Sequence, residues 1–193
     1  MSSHLLAPGP NRRLTIEEFT ELPDVIGFRD ELIEGERVLT AMPVYPHTVV
    51  IENLEAILKS QFQNVRLGVS AMKVVRESGL ELTTANGIES VPGPDLMVIS
   101  IEDHERALKL GRYIQGRPRF VIEVISPTEK KPRRLQKIAL YFEAGAEAVV
   151  EVIYAKRTVL IHRPEVDIPE SITDRVTWPF RANLIDIFMG ITS

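Results

Sequence analysis

Two carboxylates lie in apolar stretches where a buried charge needs a partner. Glu123 lies within the stretch 119–125, and Asp95 opens the stretch 94–99. A strand that is apolar on both faces is normally buried on both sides, so a carboxylate within it must be paired, protonated or bound to a cation. Two adjacent strands could bring these acids together, and a divalent cation would relieve their repulsion. Oxygen ligands of this kind suit Mg²⁺, Mn²⁺ or Ca²⁺.

The same residues also allow a structural interpretation, in which each acid caps a helix or pairs with an arginine. Both interpretations stay open at this stage. Lys137 lies in the helical segment 133–144, off the centre of its apolar stripe, and taken alone it is a solvated lysine. Glu31, taken alone, is an exposed acid of a hairpin. The expected core stripe of the helical segment is Leu135, Ile138, Ala139 and Phe142.

A basic region brackets the Glu123 strand, although the formal net charge of the chain is −4. Residues 106–137 contain ten Lys and Arg residues, against only Glu123 and Glu129. Such a region could receive a phosphate backbone, and the alternative is two solvated helix faces. The candidate nucleic-acid contacts are Lys130, Lys131, Arg133, Arg134, Arg117 and Arg119.

Several other chemistries lack their sequence motifs. The chain has no GxxxxGK[ST], GxGxxG or GxSxG motif, which argues against P-loop, dinucleotide-binding and hydrolase-elbow sites. Its four histidines lack metal-ligand spacing, and the absence of cysteine excludes disulfides and Cys-type zinc sites. His47, just after Pro46, is interpreted as a residue at the start of a helix. The few aromatic residues form no recognisable stacking array for single strands.

Five short motifs occur in one order along the chain: Glu31-Leu-Ile-Glu-Gly-Glu36, Pro46-His47, Pro94-Asp95, Glu123-Val-Ile-Ser-Pro127 and Lys137-x-x-x-Tyr141-x-x-Ala144-Gly145. Together they resemble the Uma-two family of proposed restriction endonucleases, within the PD-(D/E)xK nuclease-like superfamily. The resemblance covers roughly residues 13–190. It implies a restriction-endonuclease-like core with a central mixed sheet flanked by helices.

The resemblance also implies an active site of Glu31, Asp95, Glu123 and Lys137. Asp95, Glu123, the Val124 backbone carbonyl and Glu31 would bind Mg²⁺ or Mn²⁺. In the general superfamily the lysine follows the acid by two positions, where this chain has Ile125. The resemblance suggests that the lysine has moved to the following helix as Lys137. The chain departs from the family pattern at Arg133, where an Asp is common, and at Asp30, where an aromatic residue is often found.

The elements that must position these residues are predicted from periodicity and turn residues. A capping box at Thr15 predicts a helix to about residue 22, and Gly35 predicts a hairpin turn between strands in 29–33 and 36–42. Helical spacing covers 47–62, and Pro132 starts a helix that ends at Gly145. Extended segments are predicted at 66–84, 94–99, 119–125, 147–154 and 157–163, helices at 101–111 and 183–189, and irregular structure at 164–178. This order indicates an α/β or α+β fold with one mixed sheet flanked by helices.

The 193 residues suggest one domain, residues 13–193, after a flexible N-terminal tail, 1–12. With 44% hydrophobic and 26% charged residues, the composition is that of an ordinary globular protein, with no membrane span or signal peptide expected. A cytoplasmic location and a homodimer are further expectations.

These observations lead to a metal-dependent endonuclease that acts on nucleic acid, with DNA favoured. The alternative is an inactive or partner-dependent nucleic-acid-binding module with the same fold. A third alternative is a purely structural dimer whose acids are satisfied by pairing.

Overall fold

The computed structural model of the chain describes residues 12–63 and 72–191. The predicted tail, 1–12, lies almost entirely outside the described residues, as does the first part of the extended segment 66–84. The division into a tail and one domain over 13–193 therefore stays a prediction.

Five helices and thirteen short or medium strands make up the described part of the chain. The helices are α1 (Ile16–Thr20), α2 (Tyr45–Phe62), α3 (Ile101–Leu110), α4 (Lys131–Glu143) and α5 (Leu184–Ile187). The strands are β1 (Phe28–Ile33), β2 (Glu36–Ala41), β3 (Met72–Arg76), β4 (Leu80–Thr83), β5 (Glu89–Ser90), β6 (Leu96–Ser100), β7 (Ile114–Gln115), β8 (Phe120–Val124), β9 (Ala148–Ile153), β10 (Thr158–His162), β11 (Glu170–Ile172), β12 (Arg175–Val176) and β13 (Ala182–Asn183).

A six-stranded mixed sheet with the order β11-β10-β9-β8-β6-β3 forms the centre of the fold. β8 and β9 are parallel, and the other neighbours in this sheet are antiparallel. The central strands are apolar on both faces because helices cover both sides. α2 and α5 pack on one face, and α3 and α4 on the other. The predicted mixed sheet flanked by helices is confirmed.

α2 forms because its apolar residues recur at three- and four-residue spacing, which gives the helix one buried stripe. Val50, Ile51, Leu54 and Leu58 are completely buried against the sheet. Burying side chains of this size contributes about 1.5–3 kcal/mol each. This stripe fixes the first turn of α2, and His47 with it, beside one end of the sheet.

The β1–β2 hairpin turns at Glu34 and Gly35, whose φ angles of 50° and 79° are those of a tight type I′ turn. A Cβ on Gly35 would lie only 2.6 Å from the Cβ of Arg13. Leu32 of β1 packs with Ile16 and Phe19 of α1 in a small separate core. The hairpin and the capping box of α1 therefore occur as predicted, and they hold β1 beside the central sheet.

Two sequence-based predictions need correction. Residues 164–178 were expected to be irregular but contain β11 and β12, which are too short to show periodicity. The buried face of α4 carries Lys137, Ile138, Leu140 and Tyr141, while Leu135 is half exposed. Lys137 and Tyr141 on this buried face contact the carboxylate of Glu123 on β8. A search for an apolar stripe cannot detect such polar contacts.

Among the described residues, no helix combines the length and the apolar character needed to cross a membrane.

Candidate active site

Three different parts of the fold bring four candidate residues to one end of the sheet. β6 and β8 are antiparallel neighbours with Leu96 opposite Ile122, and this register places Asp95 opposite Glu123. β1 contributes Glu31, and the second turn of α4 contributes Lys137. All four side chains are buried.

Lys137 lies between two of the carboxylates. Its Nζ is 2.9 Å from Glu31 Oε1 and 2.7 Å from Glu123 Oε1, and its side chain is only 9% exposed. Although burial works to lower the pKa of Lys137, the charges of Glu123 and Glu31 raise it above its usual value. The solvated lysine and the exposed hairpin acid expected from the sequence alone are both wrong, because each residue supplies the other's partner.

Glu123 has a raised pKa. Burial raises the pKa of its carboxyl to about 7, against the opposing charge of Lys137. The Tyr141 hydroxyl donates a hydrogen bond to Glu123 Oε1, and Tyr141 lies one helical turn after Lys137 on the same face of α4. Glu123 can therefore change its protonation state or its partner near neutral pH.

The pKa of Asp95 is shifted in the opposite direction to that of Glu123. Arg29 Nη1 lies 2.6 Å from Asp95 Oδ1, and the Val124 N–H donates to Oδ2 at 2.7 Å. His47 Nε2 lies 3.2 Å from Oδ1. Burial works to raise the pKa of Asp95, but the His47 ring, the Arg29 guanidinium and the Val124 N–H lower it to about 2. Asp95 is thus ionised at neutral pH.

Gly93 joins these groups through its backbone. Its N–H donates to Glu31 Oε1 at 2.7 Å, and its carbonyl accepts from Arg29 Nη2 at 3.1 Å. Lys137 Nζ lies 3.5 Å from the same carbonyl. Because Gly93 is flanked by Pro92 and Pro94, the restricted backbone helps to fix these contacts.

No role in the site was predicted from the sequence for Arg29, Tyr141 or His47. Arg29 precedes Glu31 by two residues and so lies on the same face of β1. Tyr141 follows Lys137 by four residues, the helical spacing of a shared face. Both were detectable once Glu31 and Lys137 were candidates. His47 lies in the first turn of a helix as expected, although α2 begins two residues earlier at Tyr45, and its contact with Asp95 depends on the packing of α2.

A cavity of about 350 Å³ opens onto this cluster. Its floor is charged and includes Arg29, Asp95, Glu123 and Lys137. One wall is the end of the hairpin, residues 40–44, and another wall runs from Ser126 to Arg133 around the start of α4. Tyr154, which follows β9, also lines the cavity. A small ligand with a charged group could therefore reach the four candidate residues from solvent.

The donor chemistry of the cluster fits a hard divalent cation, because Glu31, Asp95 and Glu123 offer carboxylate oxygens. In the described structure, however, no three His, Asp or Glu side chains surround one point closely enough to hold a metal ion. Lys137 stands between Glu31 and Glu123, and Arg29 contacts Asp95. The Val124 N–H donates to Asp95, and the expected role of the Val124 carbonyl as a metal ligand stays a prediction. Metal binding would therefore require the Lys137 ammonium and the Arg29 guanidinium to shift.

The candidate nucleic-acid contacts divide into two groups. Arg133 lines the cavity, and Lys130 and Lys131 lie beside it at the exposed start of α4. Arg117 and Arg119 precede β8, so Arg119 is about 13 Å of strand away from Glu123, at the opposite end of the sheet. Their assignment to the same nucleic-acid surface is not supported by this position.

Arg134 also differs from its expected role as a free surface cation. Its guanidinium makes two hydrogen bonds to Glu151, at 2.7 and 2.8 Å, and His162 Nε2 lies 2.8 Å from the same carboxylate. Glu151 of β9 lies beside Glu123 in the register of the two parallel strands. Arg134 therefore neutralises a buried acid that the sequence analysis did not single out.

Comparison with known proteins places this geometry in context. A comparison with curated proteins finds no match. Among solved structures, the chain is similar to a crystal structure of "a putative nuclease belonging to DUF820" from Anabaena variabilis ATCC 29413. The two share 20% sequence identity and a TM-score of 0.74, over 91% of this chain and 97% of that chain. The model of the Uma2 family, described as "Putative restriction endonuclease", matches residues 16–178. The chain belongs to the Uma2 family.

Proposed function

We propose that this chain hydrolyses phosphodiester bonds of nucleic acid, with DNA as the favoured substrate and Mg²⁺ or Mn²⁺ as the cofactor. The observation that carries the proposal is the convergence of three buried carboxylates and one buried lysine at the floor of an open cavity. Buried charges are costly unless they are paired or bind a ligand, so their concentration at a cavity favours a functional role.

Asp95 and Glu123 would hold the cation, and Glu31 would ligate it directly or through water. When bound, such a cation polarises the phosphate and lowers the pKa of a bound water. Lys137 lies within reach of both Glu31 and Glu123, so its ammonium can orient a water or stabilise the developing negative charge on the phosphate.

Arg29 is a further candidate for contact with the phosphate. Arg29 lines the cavity, and its guanidinium pairs with Asp95. If Asp95 held a metal ion, the Arg29 guanidinium could offer its planar pair of N–H groups to phosphate oxygens. Lys130, Lys131 and Arg133 would hold the backbone around the cavity without reading sequence. A dimer with two such sites would suit the cleavage of both strands.

The test is incubation of the pure protein with supercoiled plasmid and with single-stranded DNA, in Mg²⁺, Mn²⁺ or EDTA. Glu123→Gln is the best inactive variant, because Asp95 also neutralises buried Arg29 and its removal would affect folding. Glu147→Gln is a matched control, since Glu147 is an exposed acid near the opposite end of the same sheet. We expect metal-dependent cleavage by the parent and the control, and none by Glu123→Gln. Full activity in Glu123→Gln would overturn the assignment.

The alternative, a nucleic-acid-binding module without catalysis, has one specific observation in its favour. Arg29 and Lys137 already form ion pairs with the acids that a metal would need. In that case both the parent and Glu123→Gln would bind nucleic acid, with no cleavage under any metal condition.

A further inference from the structure

A second cavity, of about 540 Å³, lies beside the candidate active site. Tyr45, Pro46 and Val49 at the start of α2 form one side, and the turn from Tyr154 to Arg157 forms the other. Gly190 and Ile191 close one end. Tyr154 lines this cavity as well as the cavity above Asp95 and Glu123. The two cavities are therefore neighbours, and Tyr154 lies between them.

Aromatic side chains give this second cavity a surface for flat ligands. Tyr45 is 80% exposed, although it is a large side chain that would gain free energy by burial. Tyr154 is partly buried, and its ring packs against the main core. One ring is thus fixed by the fold, and the other is available to a ligand.

The same cavity carries two positive charges and, among its described lining residues, no acid. They are Lys156 and Arg157, which are both exposed. Arg157 Nη2 donates to the Ile191 carbonyl at 2.6 Å, which holds the guanidinium against the cavity wall. Lining by aromatic rings and cations together is the arrangement that binds single-stranded nucleic acid, where bases stack on rings and phosphates meet cations.

We propose that the second cavity binds the single strand that continues from the phosphate held in the first cavity. A base stacks on Tyr45, and the strand's phosphates lie at Lys156 and Arg157. The inference rests on the proposed function, since the first cavity must hold the scissile phosphate. A single strand is required because the bases of a duplex are stacked and paired, so they cannot meet a ring inside a concave site.

The test measures the binding of a fluorescent single-stranded oligonucleotide, and of its duplex, by anisotropy in Ca²⁺. The variants are Tyr45→Ala and Lys156→Gln. Ile168→Ala, at an 81% exposed apolar residue, and Lys109→Gln, on α3, are matched controls. Stacking of one base corresponds to a loss of about fivefold or more in affinity on removal of the ring. We therefore expect Tyr45→Ala to weaken single-strand binding by at least this factor and to leave duplex binding unchanged.

Lys156→Gln should also weaken single-strand binding and reduce the slope of log affinity against log salt concentration, because a phosphate contact is lost. Single-strand affinities of both variants equal to those of the controls would overturn the proposal, as would an equal loss on the duplex in Tyr45→Ala. If the parent still cleaves plasmid in Mg²⁺ under that outcome, the second cavity is rejected and the nuclease proposal stands. A parent that neither binds nor cleaves any nucleic acid would reject both.

Discussion

The two acids that face each other across β6 and β8 have opposite effects on stability. Burial raises the pKa of Glu123 to about 7, so the native state favours its neutral form. The contacts of Asp95 with His47 and Arg29 outweigh burial and lower its pKa to about 2. One acid therefore destabilises the fold when it ionises, and the other stabilises it. This difference yields two predictions with opposite signs.

Glu123→Gln should stabilise the metal-free protein at pH 8 and have little effect at pH 5. An acid whose native pKa is raised holds its proton longer in the native state, so the free energy of unfolding falls as pH rises from about 4.5 through about 7. The gain on removing this charge should be about 1–3 kcal/mol. Urea denaturation in EDTA at both pH values measures it. A parent and variant with the same pH slope would show that Glu123 does not titrate in this window.

Asp95→Asn should destabilise the protein at pH 7 by about 3–5 kcal/mol, since it leaves Arg29 buried without its charged partner. The native pKa of Asp95 is lowered, so its contribution is fully present above about 3.8 and is lost as pH falls toward about 2. The double variant Arg29→Gln with Asp95→Asn should recover part of the loss in the same urea denaturation. A single variant as stable as the parent would mean that the ion pair has no net effect.

At the scale of elements, α4 places cations over acids on two adjacent strands. Arg134 pairs with Glu151 on β9, and Lys137 pairs with Glu123 on β8. Glu123 and Glu151 lie side by side in the parallel register. The helix therefore fits the sheet in one register only, because a shift would leave buried charges unpaired.

Arg134→Met should cost about 3 kcal/mol or more of stability, while the double variant Arg134→Met with Glu151→Leu should be close to the parent. Burial works to raise the pKa of Glu151, but His162 and Arg134 lower it, so the stabilisation by this cluster is lost as pH falls below about 4.5. Thermal denaturation of the single and double variants, with Arg133→Gln as control, measures the coupling. Additive losses in the double variant would contradict a coupled pair.

The hairpin is the second element on which the site depends, and Gly35 controls its turn. Gly35→Ala should cost about 1 kcal/mol for its positive φ, and more for the contact with Arg13. Gly87→Ala is a matched control, because Gly87 also has a positive φ but no heavy atom within 4 Å of its added Cβ. We expect a clearly larger loss of stability, and weaker metal binding by calorimetry, in Gly35→Ala. Equal losses in the two variants would show that the close approach to Arg13 is unimportant.

The sequence alone predicts those elements whose own residues show a regular spacing, a turn residue or an apolar run. The spacing in α2, the glycine of the hairpin turn and the apolar run around Glu123 each predict local structure directly. The positions of Asp95 and Glu123 on separate apolar strands also made their convergence a reasonable hypothesis. Short strands such as β12 could not be predicted, because two residues show no periodicity. The burial of Lys137 depends on Glu31, which lies far away in sequence, and only the packed fold brings them together.

For the whole molecule, the formal charge of −4 opposes association with a polyanion, so the proposed binding of nucleic acid would depend on local charge. When the acids of the candidate site are ionised, Glu31, Asp95 and Glu123 outnumber Arg29 and Lys137 by one charge. This excess of negative charge repels a phosphate. A divalent cation would reverse its sign and attract the phosphate instead.

Metal and nucleic acid should therefore bind cooperatively. We expect an oligonucleotide to bind more tightly in Ca²⁺ than in EDTA at equal ionic strength, with a difference of about 5-fold to 100-fold. By thermodynamic reciprocity, the oligonucleotide should increase the affinity for the metal by the same factor. At pH 8, where Glu123 is ionised, Glu123→Gln removes one of the negative charges and one candidate ligand, so it should bind the oligonucleotide in EDTA better than the parent and gain less from Ca²⁺. Anisotropy titrations of the two proteins in both buffers measure all four affinities. Equal affinities of the parent in Ca²⁺ and EDTA would mean that the metal and the phosphate do not share this site.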